Sequence, residues 1–342
     1  MSQLDAAPYG AKAVTEEGDR NDPDLRERVT EALRRSEADT WRILQRIEAG
    51  VTTTPCEGVA VVTADAFQWL ARVPDDSLHG IVTDPPYGLI EYEQKDHTKL
   101  RERRGGVWRI PPSFDGVERA PLPRFTVLTE QDKKRLDGFF ARLGALAARK
   151  LVPGGHLMIA STPLLSTTTF ACLERAGLEK RGEIIRLVQT LRGGDRPKGA
   201  EREFADVSVM PRACWEPWGL FRKPISERTI SANLRRWGTG GLRRISGNEP
   251  FRDVVESAPT RAIEREIAPH PSLKPQRFMR QIVRAVLPLG LGVLFDPFAG
   301  GGSTLAAAAR VGYKAIGTEL DADYSAMAHC AVPLLRDLYA DA

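Results

Sequence analysis

The stretch VLFDPFAGGGSTLAAAARVGYKAIGTE, residues 293–319, decides the fold of this chain. The apolar run at 293–295 predicts a strand, the glycines after it predict a tight turn, and the run at 304–311 predicts a helix. A second strand is predicted at 314–318, so the stretch has the order of a parallel β-α-β unit. Short apolar runs alternate with helical stripes along most of the chain from Val59 onward. This pattern predicts an α/β protein with a Rossmann-like, doubly wound and mainly parallel sheet.

The turn of this unit, Phe295–Thr304, has three glycines in a row. Glycines let the backbone approach a ligand closely, and a helix amino terminus favours a carboxylate or a phosphate. A phosphate-binding P-loop requires a Lys where Ser303 stands, and the GxGxxG pattern of dinucleotide-binding proteins is interrupted at Leu305. The next strand ends at Glu319, and an acid there suits the two hydroxyls of a ribose. The P-loop interpretation therefore fails and the dinucleotide interpretation is weakened.

A second motif, Asp84-Pro85-Pro86-Tyr87, follows a predicted strand at 80–83, where open α/β sheets bind ligands. The two prolines fix φ and supply no N–H, so the carbonyls of Asp84 and Pro85 are held with little competition from backbone donors. The Asp84 carboxylate and the Pro85 carbonyl can then accept both N–H bonds of an exocyclic amino group on a base. Tyr87 offers a flat face on which a flipped base can stack. The alternative is a strand-ending turn with a capping Asp.

Together the two motifs resemble those of the S-adenosylmethionine-dependent DNA amino-methyltransferases, which methylate adenine N6 or cytosine N4. Because the Asp84 motif precedes the glycine motif, the order resembles the β-class, circularly permuted form of that family's sheet. The resemblance covers about residues 57–335. It implies direct transfer of a methyl group from S-adenosyl-L-methionine to a flipped base in double-stranded DNA, with Asp84, Pro85, Pro86 and Tyr87 at the target amino group.

The resemblance also implies which residues hold the cofactor. The glycine motif would pack on the cofactor, Glu319 would bind its ribose, and Asp65 would lie near its adenine. The segment 270–275 would face its methionine end, although Lys274 has the alternative of an exposed residue before a helix. The implied cofactor-binding residues are Asp65, His270, Ser272, Lys274, Asp296, Phe298, Ala299, Gly300, Gly302 and Glu319.

The target base is inferred from the first residue of the Asp84 motif. Asp in this position leans toward adenine N6 in the family and Ser toward cytosine N4, so we favour adenine and keep cytosine N4 as the alternative. Cytosine-C5 methyltransferases use a Pro-Cys nucleophile, and Pro55-Cys56 has that sequence. The pair precedes the first predicted strand, so we interpret Cys56 as incidental. A catalytically idle DNA-binding module and an RNA methyltransferase are further alternatives.

Positive charge is concentrated in the middle of the chain. The formal charge of the whole chain is only +4, whereas residues 181–262 contain 16 Lys and Arg against 10 Asp and Glu. Guanidinium groups beside an aromatic ring suit phosphates and bases, although a charge run is often only solvated. The predicted DNA-binding residues are Arg222, Lys223, Arg235, Arg236, Trp237, Arg243 and Arg244.

The domain organisation is predicted as a helical N-terminal arm at 1–50 and a methyltransferase catalytic domain at 51–342. Within the domain we expect a loop insert at 91–124 and a target-recognition insert at 225–267. The four cysteines show no CxxC pattern and no pairing with His, so neither a metal site nor a disulfide framework is predicted.

The compartment and the partners are expected from the same sequence. No apolar run approaches the ~20 residues of a spanning helix, and no signal peptide is recognised, so we expect a cytoplasmic protein without membrane contact. The resemblance implies a homodimer and a role in restriction-modification. It leaves open whether a partner restriction nuclease exists.

Overall fold

The computed structural model of the chain describes residues 23–86, 130–188, 194, 196–197 and 199–339. Within these ranges the chain forms nine strands in one sheet and nine helices. The strands are β1 (Val51–Cys56), β2 (Val59–Thr63), β3 (Leu78–Thr83), β4 (Leu151–Ala160), β5 (Glu179–Leu187), β6 (Trp215–Arg222), β7 (Val254–Glu256), β8 (Val293–Asp296) and β9 (Lys314–Glu319). The helices are α1 (Pro23–Gln45), α2 (Ala66–Arg72), α3 (Glu130–Lys150), α4 (Ser166–Arg175), α5 (Ile230–Trp237), α6 (Ala262–Ile267), α7 (Gln276–Val286), α8 (Ser303–Arg310) and α9 (Ala322–Asp337).

The strands lie in the order β1-β2-β9-β8-β3-β4-β6-β5-β7. The five neighbours β2, β9, β8, β3 and β4 are parallel, whereas β6 is antiparallel to both β4 and β5. The parallel strands therefore all end at one side of the sheet, which we call the carboxyl edge, and begin at the other, the amino edge. The predicted α/β, Rossmann-like class is confirmed, and the sheet is mixed.

The core lies on both faces of the sheet because successive strand residues point to opposite sides. Val59 and Val61 of β2 join a buried cluster with α7, α8 and α9, whereas Ala60 and Val62 join a second cluster with α2, α3 and α4. Burial contributes about 1.5–3 kcal/mol for each large apolar side chain. The sheet is thus covered on both sides, and its two edges are the places where polar groups gather.

The described part of the predicted arm, α1, packs against the amino edge. The Glu37 carboxylate accepts a hydrogen bond from the Gly292 N–H at 3.1 Å and pairs with Lys314 at 3.1 Å. Leu44 is buried in the second cluster, which also contains Ala60 and Val62. The helix is therefore part of the packed unit. None of the helices in the described ranges is both long and apolar enough to cross a bilayer.

Three local features differ from what the sequence pattern indicates. A strand, β1, precedes Val59; it is rich in Thr and half exposed as an antiparallel edge strand, so it lacks the apolar run by which the others were found. The apolar stripe at 136–146 and the sequence Pro153-Gly154-Gly155 after it predict a helix that ends at 153–155. These residues lie instead inside β4, where a bulge between the pairs Leu78–Leu151 and Gly80–His156 accommodates the glycines. The segment 225–267 does not leave the sheet entirely, since β7 pairs with β5. The predicted loop insert at 91–124 lies outside the described residues.

Candidate active site

The two sequence motifs meet at the carboxyl edge because β3 and β8 are neighbours. The Thr83 hydroxyl donates a hydrogen bond to Asp296 Oδ1 at 2.8 Å, although 213 residues separate the two in sequence. The Phe298 N–H donates to the same oxygen at 3.1 Å. Asp84 follows Thr83 directly, and Pro85 after it is buried. The predicted acceptor pair and the glycine turn are therefore side by side.

Asp296 is fully buried beneath this junction. Burial disfavours the charged carboxylate and raises its pKa to about 6, although hydrogen bonds from Thr304, Thr83 and Phe298 oppose the rise. The negative charge of Asp84 raises it further. Asp296 thus links Thr83, the residue before the Asp84 motif, to Phe298 at the start of the glycine turn.

The glycine turn has no room for side chains. Gly300 and Gly302 have φ of +49° and +84°, the left-handed region that disfavours other residues. A Cβ at Gly302 would lie 2.7 Å from Val332 Cγ2, and one at Gly300 would lie 2.9 Å from His270 Cε1. Ala299 is buried, and its N–H donates to the Thr318 carbonyl at 2.9 Å. The turn is therefore a tight backbone cradle at the start of α8.

Two acids flank this cradle at neighbouring strand ends. Glu319 ends β9 and accepts hydrogen bonds from the N–H groups of Gly300, at 2.8 Å, and Asp321, at 3.0 Å. Asp65 follows β2, whose last residue, Thr63, pairs with Glu319. The Asp65 carboxylate caps α2 by accepting from the Gln68 N–H at 2.8 Å. Both acids therefore lie at the carboxyl edge, after two paired strands, and their cofactor roles stay predictions.

Aromatic rings form one wall beside the cradle. Phe298 is stacked against Phe139 with ring centroids 5.7 Å apart and meets Phe67 edge-on at 6.4 Å. Phe298 is only partly buried, so the ring retains an accessible surface. An apolar face beside a glycine turn and two carboxylates is suited to a nucleoside.

The segment 268–275 closes the opposite side of the turn. The His270 ring lies against Gly300 and meets the Tyr324 ring edge-on at 4.5 Å. Its Nδ1 accepts from the Ser272 N–H at 3.2 Å. Burial, with a smaller contribution from Lys274, lowers the pKa of His270 to about 4, so the imidazole is neutral at pH 7. The Ser272 residue is exposed.

Lys274 contacts both the Asp84 motif and the end of the glycine turn. Its ammonium pairs with the Asp84 carboxylate and lies 3.5 Å from Glu216 Oε1. The backbone N–H of Lys274 donates to the Ser303 hydroxyl at 3.1 Å. The lysine thus joins the cofactor side and the target side of the site. Pro86 is exposed, whereas Tyr87 lies outside the described residues.

Glu216 and Arg186 were missed by the sequence interpretation. Glu216 Oε2 accepts from Arg186 Nη1 at 2.7 Å, and the Arg186 Nε donates to the Ser257 hydroxyl at 3.0 Å. Both residues lie at the carboxyl edge because β6 begins there and β5 ends there. Only the hairpin pairing of β5 with β6 would have indicated this placement.

The predicted DNA-binding residues do not lie at this site. Glu216 and Arg222 stand at opposite ends of β6, which is about 20 Å of extended strand. Since β6 is antiparallel to β4, the chain after Arg222 emerges at the amino edge. This group and the first part of 225–267 therefore lie away from Asp84, and their roles in DNA binding and target recognition stay predictions.

The polar groups of these residues are also largely satisfied within the protein. Arg222 is buried, donating to Glu179 at 2.6 Å and to the Gly240 carbonyl at 3.0 Å. Trp237 is buried and donates to the Ser226 hydroxyl. The remaining contacts are Lys223 with Asp76, Arg236 with Glu227, Arg243 with the Tyr313 hydroxyl and Arg244 with the Gly247 carbonyl, while Arg235 is exposed. Most of these side chains therefore contact other groups of this protein at the amino edge.

The sequence of this chain is similar to those of known DNA methyltransferases. Residues 203–329 match the sequence profile of a protein family described as DNA methylase. Two type II methyltransferases are similar over most of their length: M2.DpnII of Streptococcus pneumoniae, 21% identical over 264 residues (77% of this chain, 85% of that one), and M2.LlaDCHI of Lactococcus lactis subsp. cremoris, 22% identical over 268 residues (78% and 87%). The resemblance to S-adenosylmethionine-dependent DNA amino-methyltransferases is confirmed.

Two solved structures share the fold. A putative DNA modification methylase from Thermus thermophilus, complexed with S-adenosyl-L-methionine, has a TM-score of 0.50 at 22% identity, over 82% of this chain and 95% of that one. The cytosine-N4-specific PvuII DNA methyltransferase has a TM-score of 0.53 at 12% identity, over 85% and 93%. At these identities the likeness concerns the fold alone.

Proposed function

We propose that this chain transfers a methyl group from S-adenosylmethionine to the N6 amino group of adenine in double-stranded DNA. The observation that carries the proposal is the junction of Thr83 with Asp296, which sets the Asp84-Pro85 acceptors beside the glycine cradle. Asp at the first position of the motif favours adenine. The similar PvuII enzyme is described as specific for cytosine N4, and this base is the second candidate.

The residues of the cradle fit S-adenosylmethionine. The glycine turn has no side chains at the place where a ligand would approach its backbone. Glu319 ends the neighbouring strand, which is where ribose-binding acids lie in such folds. Phe298 offers an apolar face to an adenine ring, with Asp65 nearby at the same edge. The thermophilic structural neighbour holds this cofactor. When bound, S-adenosylmethionine supplies an electrophilic methyl group on a sulfonium.

The protein's own groups activate the acceptor. The Asp84 carboxylate and the Pro85 carbonyl accept the two N–H bonds of the amino group, which directs the nitrogen lone pair out of the base plane. The lone pair forms the N–C bond while the electrons of the C–S bond stay on sulfur. The nitrogen then releases one proton to solvent. Such preorganised acceptors stabilise the positive charge that develops on the nitrogen.

DNA must approach the carboxyl edge for this reaction. The β5–β6 hairpin continues beyond the sheet there, with the Gly194 N–H bonded to the Met210 carbonyl at 2.9 Å. Arg202 and Arg212 of this extension are exposed. We infer that the hairpin extension, the described part of residues 194–214, replaces the amino-edge arginines as the DNA-contacting surface. The cytoplasmic location, the homodimer and the partner nuclease stay predictions.

The test is a methylation assay with base identification. Purified protein is incubated with labelled S-adenosylmethionine and unmethylated genomic DNA, and the nucleosides are identified by mass spectrometry. Labelled N6-methyladenine supports the proposal, and N4-methylcytosine keeps the reaction while replacing the base. Bound cofactor without any labelled nucleoside contradicts it, and a parallel incubation with RNA tests the RNA methyltransferase alternative.

A further inference from the structure

A chain of four alternating charges crosses the floor of the site: Asp84, Lys274, Glu216 and Arg186. Their side chains are only 13%, 11%, 17% and 7% exposed. They come from four separate segments: the turn after β3, the turn before α7, the start of β6 and the end of β5. Burying ions costs free energy, so stabilisation of the fold does not by itself account for such a chain.

The position of Lys274 conflicts with the chemistry proposed for Asp84. Its ammonium already donates to Asp84 Oδ2, the carboxylate that must accept an N–H from the base. During methyl transfer the target nitrogen becomes positive, and a cation in contact with the same carboxylate opposes that charge. Release of Lys274 from Asp84 when the base enters would remove this opposing charge.

Among the described residues, Glu216 offers the Lys274 ammonium a second acceptor. Its Oε1 is 3.5 Å from the Lys274 Nζ, so a small shift of the lysine side chain completes this second ion pair. Glu216 is itself fixed, because Arg186 binds its other oxygen. Arg186 is anchored in turn by Ser257, by the Ala258 carbonyl at 3.2 Å and by the Phe278 ring at 5.0 Å.

We propose that Glu216, held by Arg186, is a positioning residue that takes the Lys274 ammonium from Asp84 when the target base enters. Lys274 then masks the Asp84 carboxylate in the empty site and moves from it in the loaded site. Glu216 acts through Lys274 and does not touch the base. The inference rests on the proposed function.

The test is a double-mutant cycle of Glu216→Gln and Lys274→Met. Glutamine keeps an oxygen for Arg186 but lacks the charge that attracts the ammonium. We expect Glu216→Gln to slow single-turnover methylation of genomic DNA at least ~10-fold, with the KM for S-adenosylmethionine changed less than ~3-fold. In the Lys274→Met background, which should retain at least a tenth of the wild-type rate, Glu216→Gln should change the rate less than ~2-fold. Glu216→Asp should restore part of the rate.

Glu179→Gln is the matched control. Glu179 also pairs with a buried arginine, Arg222, but lies at the amino edge, so this variant should methylate at the wild-type rate. Melting temperatures and the calorimetric affinity for S-adenosylhomocysteine, measured on every variant, separate misfolding and loss of cofactor binding from the rate effect.

The outcomes separate the inference from the function on which it rests. The inference alone is overturned if the wild type is active and Glu216→Gln methylates at the same rate. It is also overturned if Glu216→Gln lowers the rate equally in the wild-type and in the Lys274→Met protein. A Lys274→Met variant that loses both the rate and the affinity for S-adenosylhomocysteine places the lysine on the cofactor, and also overturns it. A wild type that methylates no nucleic acid refutes the proposed function and the inference with it.

Discussion

Gly302→Ala is the substitution that tests the glycine cradle most sharply. An alanine would have to adopt a φ of +84°, which costs about 1–2 kcal/mol outside glycine. Its Cβ would also lie 2.7 Å from Val332 Cγ2, and overpacking of this kind costs about 1–3 kcal/mol. The expected loss in the free energy of unfolding is therefore about 2–5 kcal/mol.

Gly312→Ala supplies the matched control. Gly312 has nearly the same φ, +79°, but nothing lies within 4 Å of a Cβ built there. This variant should lose only the backbone contribution, about 1–2 kcal/mol. Urea unfolding followed by circular dichroism measures both, and calorimetry with S-adenosylmethionine should show weaker binding for Gly302→Ala only. Equal unfolding losses in the two variants would refute the steric argument for the cradle.

Three further changes test other parts of the structure. Arg212→Glu at the hairpin extension should weaken DNA binding about 5–10-fold and reduce its salt dependence by about one phosphate contact, whereas Arg235→Glu at the amino edge should not; equal effects in anisotropy titrations would contradict the placement of the DNA. Burial lowers the pKa of His79 to about 3, below its unfolded value of 6.5, so its contribution to stability is present above pH 6.5 and is lost as the pH falls toward 3. The loss is about 2 kcal/mol at pH 5, and His79→Gln should flatten this part of the urea-derived stability profile. Cys56→Ser should leave the methylation rate unchanged, because Cys56 ends β1 at the amino edge and burial raises its thiol pKa; an inactive variant would revive the covalent mechanism.

The centre of the fold could be predicted because its signals are local. The β8-α8-β9 unit has an apolar strand, a glycine turn, a helix and a second strand within one stretch, and the structure places each within one or two residues of the prediction. The Asp84 and glycine motifs follow strands of this kind, so their meeting at one edge follows from parallel topology.

The residues of a strand do not indicate whether it pairs parallel or antiparallel with its neighbours. The apolar residues at 215–222 indicate a strand, but they do not indicate its antiparallel pairing with β4. This reversal places Arg222 and the basic segment after it at the amino edge. β7 has only three residues and depends on β5 for its pairing. The contact of Lys274 with Asp84 and Glu216 joins three distant segments, which no spacing along the chain indicates.

The most direct measurement of the central claim compares wild type with Asp84→Asn for methyl transfer to unmethylated genomic DNA, with labelled nucleosides identified by mass spectrometry. Asparagine keeps the size of the side chain and lacks the charge. The account predicts labelled N6-methyladenine from wild type and at least a ~100-fold slower reaction from the variant, with the affinity for S-adenosylmethionine nearly unchanged. A variant that methylates at the wild-type rate would contradict the assignment of Asp84 as the acceptor of the target amino group.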